Sequence, residues 1–275
     1  MNSTHFKTIF SKRLGCLVAV GEHTSSQGKA NGAASGHLSG PAGSGWFGTV
    51  MQFVGVLTAS CAFVSLAWAG PLATTALPIG GQVAHGAVSI SQSGAVMSIN
   101  QSTSKAVVNW NTFDIGQNAK VNIVQPGADA VMLNRVTSAN PSQILGQLNA
   151  NGQVVLVNPN GVLFGKDGSV NANSFTASTL GITDANFMAG NQQFERDGST
   201  AAVLNQGTIK TTGGYVALLG ASVSNEGQIQ TQGGTAYLAA AEMVKVPLSG
   251  SGRIKLELSP GHINAAVANA KGGTI

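Results

Sequence analysis

Residues 205–214 read NQGTIKTTGG, and 20 positions later residues 225–234 repeat them as NEGQIQTQGG. The register continues past the repeat, because Leu218 matches Leu238. A period near 20 is the length of one turn of a parallel β-helix, in which each coil buries its apolar side chains against the coils above and below. The repeat therefore predicts an all-β solenoid rather than a globule with scattered strands.

The residue types within the repeat fit that geometry. Asn and Gly at the coil corners supply tight or left-handed backbone positions, and aligned Asn side chains can bond one coil to the next. Ile209 and Ile229 are expected to point inward. Residues in register on successive coils sit about 4.8 Å apart, so stacked like charges would repel, and charge is expected to be scarce.

The rest of the sequence after residue 80 supports a β-rich body. Short apolar runs such as 87–91 and 153–157 alternate with Gly, Asn, Ser and Asp, as strands and turns do. Only residues 141–148 could form a turn or two of helix. If residues 70 to 275 were all coil they would make roughly ten turns. A β-sandwich ranks second, because it gives no reason for identity at a fixed period.

Composition excludes several classes of protein. Glycine at 37 of 275 positions and only 9% charged residues disfavour a helical protein, whereas 43% hydrophobic residues are enough for a core. The net charge of +4 arises mainly before residue 70, and the ten basic and nine acidic residues that follow are scattered, so no nucleic-acid-binding stripe is expected. Cys16 and Cys61 also precede residue 70, so we expect no disulfide, thiolate metal site or cofactor in the body.

The segment 46–69 has the features of a removable signal peptide. It carries no charge, forms an apolar run of helical character, and ends with Ala67 and Ala69 before Gly70, small residues where signal peptidase requires them. We therefore assign residues 1–69 to an extended signal peptide and residues 70–275 to one secreted domain.

Two other interpretations of this segment are weaker. A transmembrane anchor is disfavoured because no basic residue follows until Lys105. A lipoprotein site at Cys61 is disfavoured because Thr58 stands where an aliphatic residue is wanted. The stretch ahead of the apolar run is far longer than a simple signal needs.

The densest set of motifs lies between residues 124 and 165. It comprises VQPGADAVMLNRV at 124–136, NPSQILG at 140–146, ANGQV at 150–154 and NPNGVLFG at 158–165. Asn-Pro-Asn-Gly between two apolar strands predicts a β-turn, because Pro fixes φ at its second position and Gly suits its fourth. The side chain of Asn158 can also close an Asx turn.

With NWNTFDIG at 109–116 and VNANSFTAST at 170–179, this ordered series resembles the secretion domain of the filamentous haemagglutinin family, which is exported by two-partner secretion. The resemblance covers about residues 80 to 250, and the long leader looks like the extended signal region common in that family. It implies a right-handed parallel β-helix with an N-terminal cap, from a Gram-negative bacterium.

The resemblance also implies partners and a location. Family members use the general secretion machinery and signal peptidase. An outer-membrane β-barrel transporter with periplasmic docking domains then recognises them, and they fold outside. Asn158, Pro159 and Asn160 match the family's secretion motif, and Gly161 stands where some members carry Leu. The motif either shapes a turn or contacts the transporter, and the sequence leaves both open.

Three other residues of this region have structural interpretations. Trp110 and Phe113 are expected to pack in the core or an end cap rather than bind a ligand. Arg135 is expected to be solvated or locally paired.

Two other function classes are weaker. A β-helix polysaccharide lyase or glycosidase needs clustered carboxylates, whereas the acidic residues here are dispersed, and His85 and His262 have no obvious partner, so we expect no enzyme. A complete adhesin is disfavoured because residues 270–275 end in repeat-like sequence, which suggests a fragment or truncated product. Adhesion, haemagglutination or toxin delivery would then reside downstream, together with any contact to a host surface.

Overall fold

The computed structural model describes residues 6–11, 16–21, 71–246, 255–257, 266–270 and 272–275. The described part contains 24 strands and one short helix. The strands are β1 (Phe6–Ser11), β2 (Cys16–Gly21), β3 (Gln82–His85), β4 (Val88–Ser93), β5 (Val96–Gln101), β6 (Lys105–Trp110), β7 (Lys120–Val124), β8 (Val131–Val136), β9 (Ser142–Ile144), β10 (Gln147–Ala150), β11 (Gln153–Val157), β12 (Val162–Phe164), β13 (Ser169–Ala172), β14 (Ser174–Ser178), β15 (Gln192–Glu195), β16 (Ala202–Asn205), β17 (Thr208–Thr211), β18 (Val216–Gly220), β19 (Ser222–Asn225), β20 (Gln228–Thr231), β21 (Ala236–Ala240), β22 (Met243–Val246), β23 (Lys255–Glu257) and β24 (Ala266–Asn269). The helix is α1 (Asp184–Ala189).

The body is a stack of coils, and corresponding strands of successive coils form three parallel sheets along its length. Sheet 1 runs β4-β5-β7-β10-β13-β17-β20, sheet 2 runs β3-β6-β8-β11-β14-β18-β21, and sheet 3 runs β9-β12-β16-β19-β24. Successive coils pair in parallel throughout. At the start of the stack, β3 pairs antiparallel with β6 and β4 pairs antiparallel with β5, and these two strands form the cap. The predicted parallel β-solenoid with an N-terminal cap is confirmed.

The interior is built from columns of apolar side chains. In sheet 1, one residue of each coil pairs with its counterpart in the next coil, and each member is at most 4% exposed. Burying a side chain of this size contributes about 1.5–3 kcal/mol. The column consists of Met97, Val121, Leu148, Val170, Ile209 and Ile229.

Corner residues explain why Asn and Gly recur at the same positions of the 20-residue repeat. The Asn205 Nδ2 donates to Asn225 Oδ1 at 2.7 Å, and Asn225 Nδ2 donates to Asn269 Oδ1 at 2.7 Å, as predicted for aligned Asn side chains. A Cβ on Gly227 would collide with the carbonyl oxygen of Gly207 in the coil before it. This corner thus needs an amide for bonding between coils and a glycine for close approach.

The stack has about six turns, not the ten that uninterrupted coils would give. Val170 and Ile209 are neighbours in sheet 1 although 39 residues separate them, because residues 179–201 leave the stack to form α1 and β15. β15 pairs antiparallel with β22, and β22 with β23, in a separate outer sheet. Residues 141–148 form β9 and the start of β10, so the expectation of a helical turn there was wrong.

Helix α1 lies in this insertion and has clear boundaries. The Thr183 side chain accepts from Asn186 N at 3.2 Å at the N-terminus, and Gly190 ends the helix with φ +87°. Phe187 is buried against the outward face of sheet 2 together with Phe194 and Val244. The central strands of sheet 2, β11, β14 and β18, are therefore buried on both faces. Burial raises the pKa of Tyr215 in this layer to about 12.

No helix in the described part of the chain is long and apolar enough to cross a membrane. The apolar segment 46–69 lies outside the described residues, as do Ala67, Ala69 and Gly70.

The buried Asn ladder yields a stability prediction. Asn225→Ala leaves the fully buried Asn205 amide without its acceptor, which should cost about 1–3 kcal/mol of unfolding free energy. Asn149→Ala is the matched control, because Asn149 belongs to a solvent-facing ladder and should change stability by about 0.5 kcal/mol or less. Urea unfolding followed by circular dichroism measures both, and equal losses would contradict the ladder's role.

Asp114 yields a pH prediction. Burial raises the pKa of this carboxyl above its usual 3.8, and the hydrogen bond from Gln143 N at 2.8 Å opposes the rise. The folded state therefore binds the proton more tightly, and Asp114 costs stability as pH rises through its unfolded and folded pKa values. Asp114→Asn keeps the acceptor oxygen without the charge, so its melting temperature relative to the parent should be higher at pH 7 than at pH 3. A pH-independent difference would argue against this burial effect.

Candidate functional site

The Asn158–Gly161 segment connects β11 of sheet 2 to β12 of sheet 3. Gly161 N donates to Asn158 O at 3.1 Å, and Asn160 N donates to Asn158 Oδ1 at 3.0 Å. These bonds confirm the predicted β-turn and Asx turn. Gly161 has φ +119°, a conformation that residues with a side chain rarely adopt.

Asn158 is the centre of this turn, and its side chain has no exposed surface. Its Nδ2 donates to Asn140 O at 2.9 Å and to Ser142 Oγ at 3.0 Å. Its backbone N donates to Ser178 O at 2.9 Å. Asn158 thus connects its own coil to the coil before it and to the strand after it.

The second asparagine holds the same preceding segment. Asn160 Nδ2 donates to Ser138 O at 2.9 Å, and Ser142 N donates to Gly161 O at 3.0 Å. The turn therefore fixes residues 138–142, which connect β8 to β9. Both Asn side chains of the motif are committed to bonds within the protein.

Pro159 is the exposed member of the motif and meets the end of the insertion. Ser199 Oγ donates to Pro159 O at 2.6 Å, and Ala201 N donates to Ser199 Oγ at 3.2 Å. Arg196 is anchored to Glu242 at 2.6 Å and donates to Ser199 O at 3.3 Å. The loop that follows β15 is thereby positioned beside the turn.

A cleft of about 400 Å³ lies between the turn and this loop. None of its lining residues is charged, so it offers hydroxyl groups, backbone groups and small apolar surfaces. The lining residues are Ala139, Pro141, Pro159, Asn160, Gly198, Ser199, Thr200 and Ala201. The predicted turn at 158–161 forms part of one wall of this cleft. The cleft itself was not predicted, because the insertion that forms the other wall carried no recognisable signal in the sequence.

The other residues considered from the sequence are structural. Trp110 and Phe113 are each 1% exposed, with ring centroids 5.5 Å apart in an edge contact, which confirms their core role. Trp110 Nε1 donates to Asn134 Oδ1 at 3.0 Å. Arg135 is paired, as one of its two expected states required, because its Nη2 lies 2.6 Å from Asp184 Oδ1 in helix α1.

His85 has a partner that the sequence did not reveal. Its Nε2 lies 3.3 Å from Asp184 Oδ2, so Asp184 connects the cap strand β3 and strand β8 to the insertion. His262 lies outside the described residues. Within the part of the chain that the structure describes, no three His, Cys, Asp or Glu side chains group as metal ligands would.

Two family profiles match the chain. The profile described as TPS secretion domain matches residues 74–274, and the profile described as Extended Signal Peptide of Type V secretion system matches residues 1–50. Together they indicate export through the periplasm and outer membrane to the cell surface or medium. A TPS domain also implies recognition by an outer-membrane transporter partner.

The chain is also similar to individual proteins. The chain is similar to two heme/hemopexin-binding proteins of Haemophilus influenzae, with 45% identity over 103 residues and 40% over 111, which is 38% and 40% of this chain. The crystal structure of the HMW1 secretion domain from Haemophilus influenzae matches with TM-score 0.65 and 36% identity over 69% of this chain. The solved filamentous haemagglutinin secretion domain matches with TM-score 0.45 and 16% identity, over 70% of this chain and 73% of that chain.

The matched part spans only 11% and 12% of the two heme/hemopexin-binding proteins, and 52% of the HMW1 chain. None of these comparisons supports a polysaccharide-cleaving enzyme. The TPS profile covers most of the chain, from the start of the described body to its last residues, and the solenoid is the architecture that such domains share with HMW1. The chain therefore belongs to the TPS secretion domain family.

Proposed function

We propose that residues 70–275 form the export address of a surface or secreted protein, and that the Asn158–Gly161 turn acts mainly by organising that address. The proposal rests on the complete burial of Asn158. Its side-chain amide makes hydrogen bonds with Asn140, Ser142 and Asn160. A side chain with no exposed surface cannot contact a transporter once the domain has folded. Asn158 therefore builds the surface rather than belonging to it.

In the folded domain, Pro159 is the residue of the motif that a partner protein can contact. It is exposed, lines the uncharged cleft, and is held in place by Ser199. An uncharged surface suits recognition through backbone groups and small apolar contacts rather than through ion pairs. We assign the periplasmic docking domains of the transporter as the partner of this surface. Because the whole domain folds outside the cell, this contact requires the turn and its neighbouring loop to form locally while the chain is still in the periplasm.

Residues 1–69 act in this proposal as the extended signal peptide, read by the general secretion machinery and cleaved by signal peptidase after Ala69. The secretion domain itself acts without catalysis. The two curated relatives are named for binding heme and hemopexin. We propose heme or hemopexin, alongside a host surface, as ligands to test for the whole protein rather than for this domain.

The two roles within the turn are separable by mutation. Asn158→Ala removes the donor to the Asn140 carbonyl and leaves the buried Ser142 hydroxyl without its partner, so it should lower the unfolding free energy by about 1–3 kcal/mol and reduce export. Pro159→Ala changes an exposed side chain and should alter stability by about 1 kcal/mol or less. Urea unfolding and secretion in cells that carry the partner transporter measure the two effects.

Binding to the isolated periplasmic docking domains then separates contact from folding. We expect folded Pro159→Ala protein to bind more weakly than the parent, and Asn158→Ala protein to bind in proportion to its folded fraction. Normal secretion of Asn158→Ala protein would show that the motif is not needed for export. Unchanged binding and export of Pro159→Ala protein would contradict a contact between the transporter and the cleft.

The leader assignment predicts the first residue of the exported chain. Sequencing the N-terminus of protein recovered from the medium or cell surface should give Gly70, because Ala67 and Ala69 present small side chains to the peptidase. Ala69→Leu is the matched variant and should accumulate uncleaved precursor. Recovery of a chain that retains residues 46–69 would support a membrane anchor instead.

A further inference from the structure

The secretion motif contains an asparagine side-chain amide that is chemically labile in an unfolded chain. Two Asn-Gly pairs follow residue 70, namely Asn151-Gly152 and Asn160-Gly161. Asn is among the thermolabile residues, and Gly as the next residue places no side chain in the way of its own backbone nitrogen. We propose that Asn160 is a site of spontaneous deamidation, open while the chain is unfolded and closed when the turn forms.

The reaction needs only water. The backbone nitrogen of Gly161 attacks Cγ of Asn160 and forms a five-membered succinimide, while the bond from Cγ to Nδ2 breaks. Ammonia leaves with the proton from the Gly161 nitrogen. Water then opens either carbonyl of the ring, giving aspartate or isoaspartate at position 160.

The folded turn holds both the attacking atom and the leaving group. Gly161 N donates to Asn158 O at 3.1 Å, and Asn160 Nδ2 donates to Ser138 O at 2.9 Å. Gly161 is also buried. Formation of the succinimide ring would have to break both hydrogen bonds and rotate the backbone at the buried Gly161.

The other pair is closed in the same way, which supports the interpretation. Gly152 N donates to Gln125 Oε1 at 3.1 Å, and Asn151 Nδ2 donates to Gln125 O at 2.8 Å. Asn151 Oδ1 also accepts from Gln125 N at 2.7 Å. In both pairs the solenoid therefore occupies the glycine N–H and the asparagine amide with hydrogen bonds.

Deamidation at position 160 would damage the turn. Aspartate replaces the Nδ2 donor with a carboxylate oxygen that faces the carbonyl of Ser138. Isoaspartate adds a methylene to the backbone directly before Gly161, whose φ is +119°. A chain delayed in the unfolded state would thus lose the turn, which sets a time limit on export; this consequence rests on the proposed function, whereas the chemistry does not.

Peptide mass spectrometry tests the chemistry on the full chain. Folded protein and protein kept in concentrated urea are incubated at mildly alkaline pH, and the fraction of Asn160 converted is followed with time. We expect conversion to be at least about tenfold slower in the folded protein, because it requires local opening. Asn149, which precedes Ala150, is the internal control and should convert more slowly than Asn160 in urea.

Two results would overturn the proposal. One is equal conversion of Asn160 in folded and unfolded protein, and the other is conversion in urea no faster than that of Asn149. Gly161→Ala protein measured in urea, where its effect on folding is irrelevant, should convert more slowly than the parent. An unchanged rate would also count against attack by the Gly161 nitrogen.

Export of Asn160→Asp protein tests the consequence separately. We expect less secreted protein than from the parent in cells that carry the partner transporter. Full export of this variant would overturn the time limit while leaving the mass-spectrometric result intact. Failure of the proposed function itself would show instead as normal export of the Asn158→Ala chain.

Discussion

The stacking of parallel coils in register is the constraint on which the rest of this structure depends. A residue in one coil has its counterpart about 4.8 Å away in the next, so each position must suit both neighbours at once. Inward positions become apolar columns such as Ile209 over Ile229. Corner positions become Asn ladders and glycines, because an amide buried between coils needs hydrogen-bond partners there and a Cβ on the glycine would meet the backbone of the next coil.

The secretion motif obeys the same rule as the other corners. Asn158 is buried and bonded across coils, as Asn205 and Asn225 are, although it belongs to a turn that connects two sheets. Its difference lies in the neighbours, because the insertion brings Ser199 and an uncharged cleft beside Pro159. A short motif can therefore serve both the fold and export, since the residues that close the turn also position Pro159, the most exposed residue of the motif.

Sequence reasoning succeeded where the signal is periodic or local. The 20-residue period, the strands at 153–157, the Asx turn at Asn158 and the burial of Trp110 all follow from spacing or residue type. The prediction of a helical turn at residues 141–148 was wrong, because a short apolar run with turn residues fits a strand equally well. Stacking against neighbouring coils favours the strand.

The features that could not be predicted from the sequence lie in or contact the insertion, residues 179–201, which leaves the coil stack. Helix α1 has six residues, too few to show a helical period, although Thr183 and Gly190 are its caps. Asp184 reaches both His85 and Arg135 from distant parts of the sequence. The insertion accounts for about one of the missing turns, because residues 179–201 add length without adding a coil.

Hydrogen exchange of the folded, exported chain tests the central claim most directly. If the Asn158–Gly161 turn is built into the stack, the amides of Asn158 and Gly161, which donate to Ser178 O and Asn158 O, should exchange as slowly as those of the neighbouring strand β11. Exchange of these amides at the rate of an unprotected surface loop would show that the turn is separate from the coil stack, and would contradict the account.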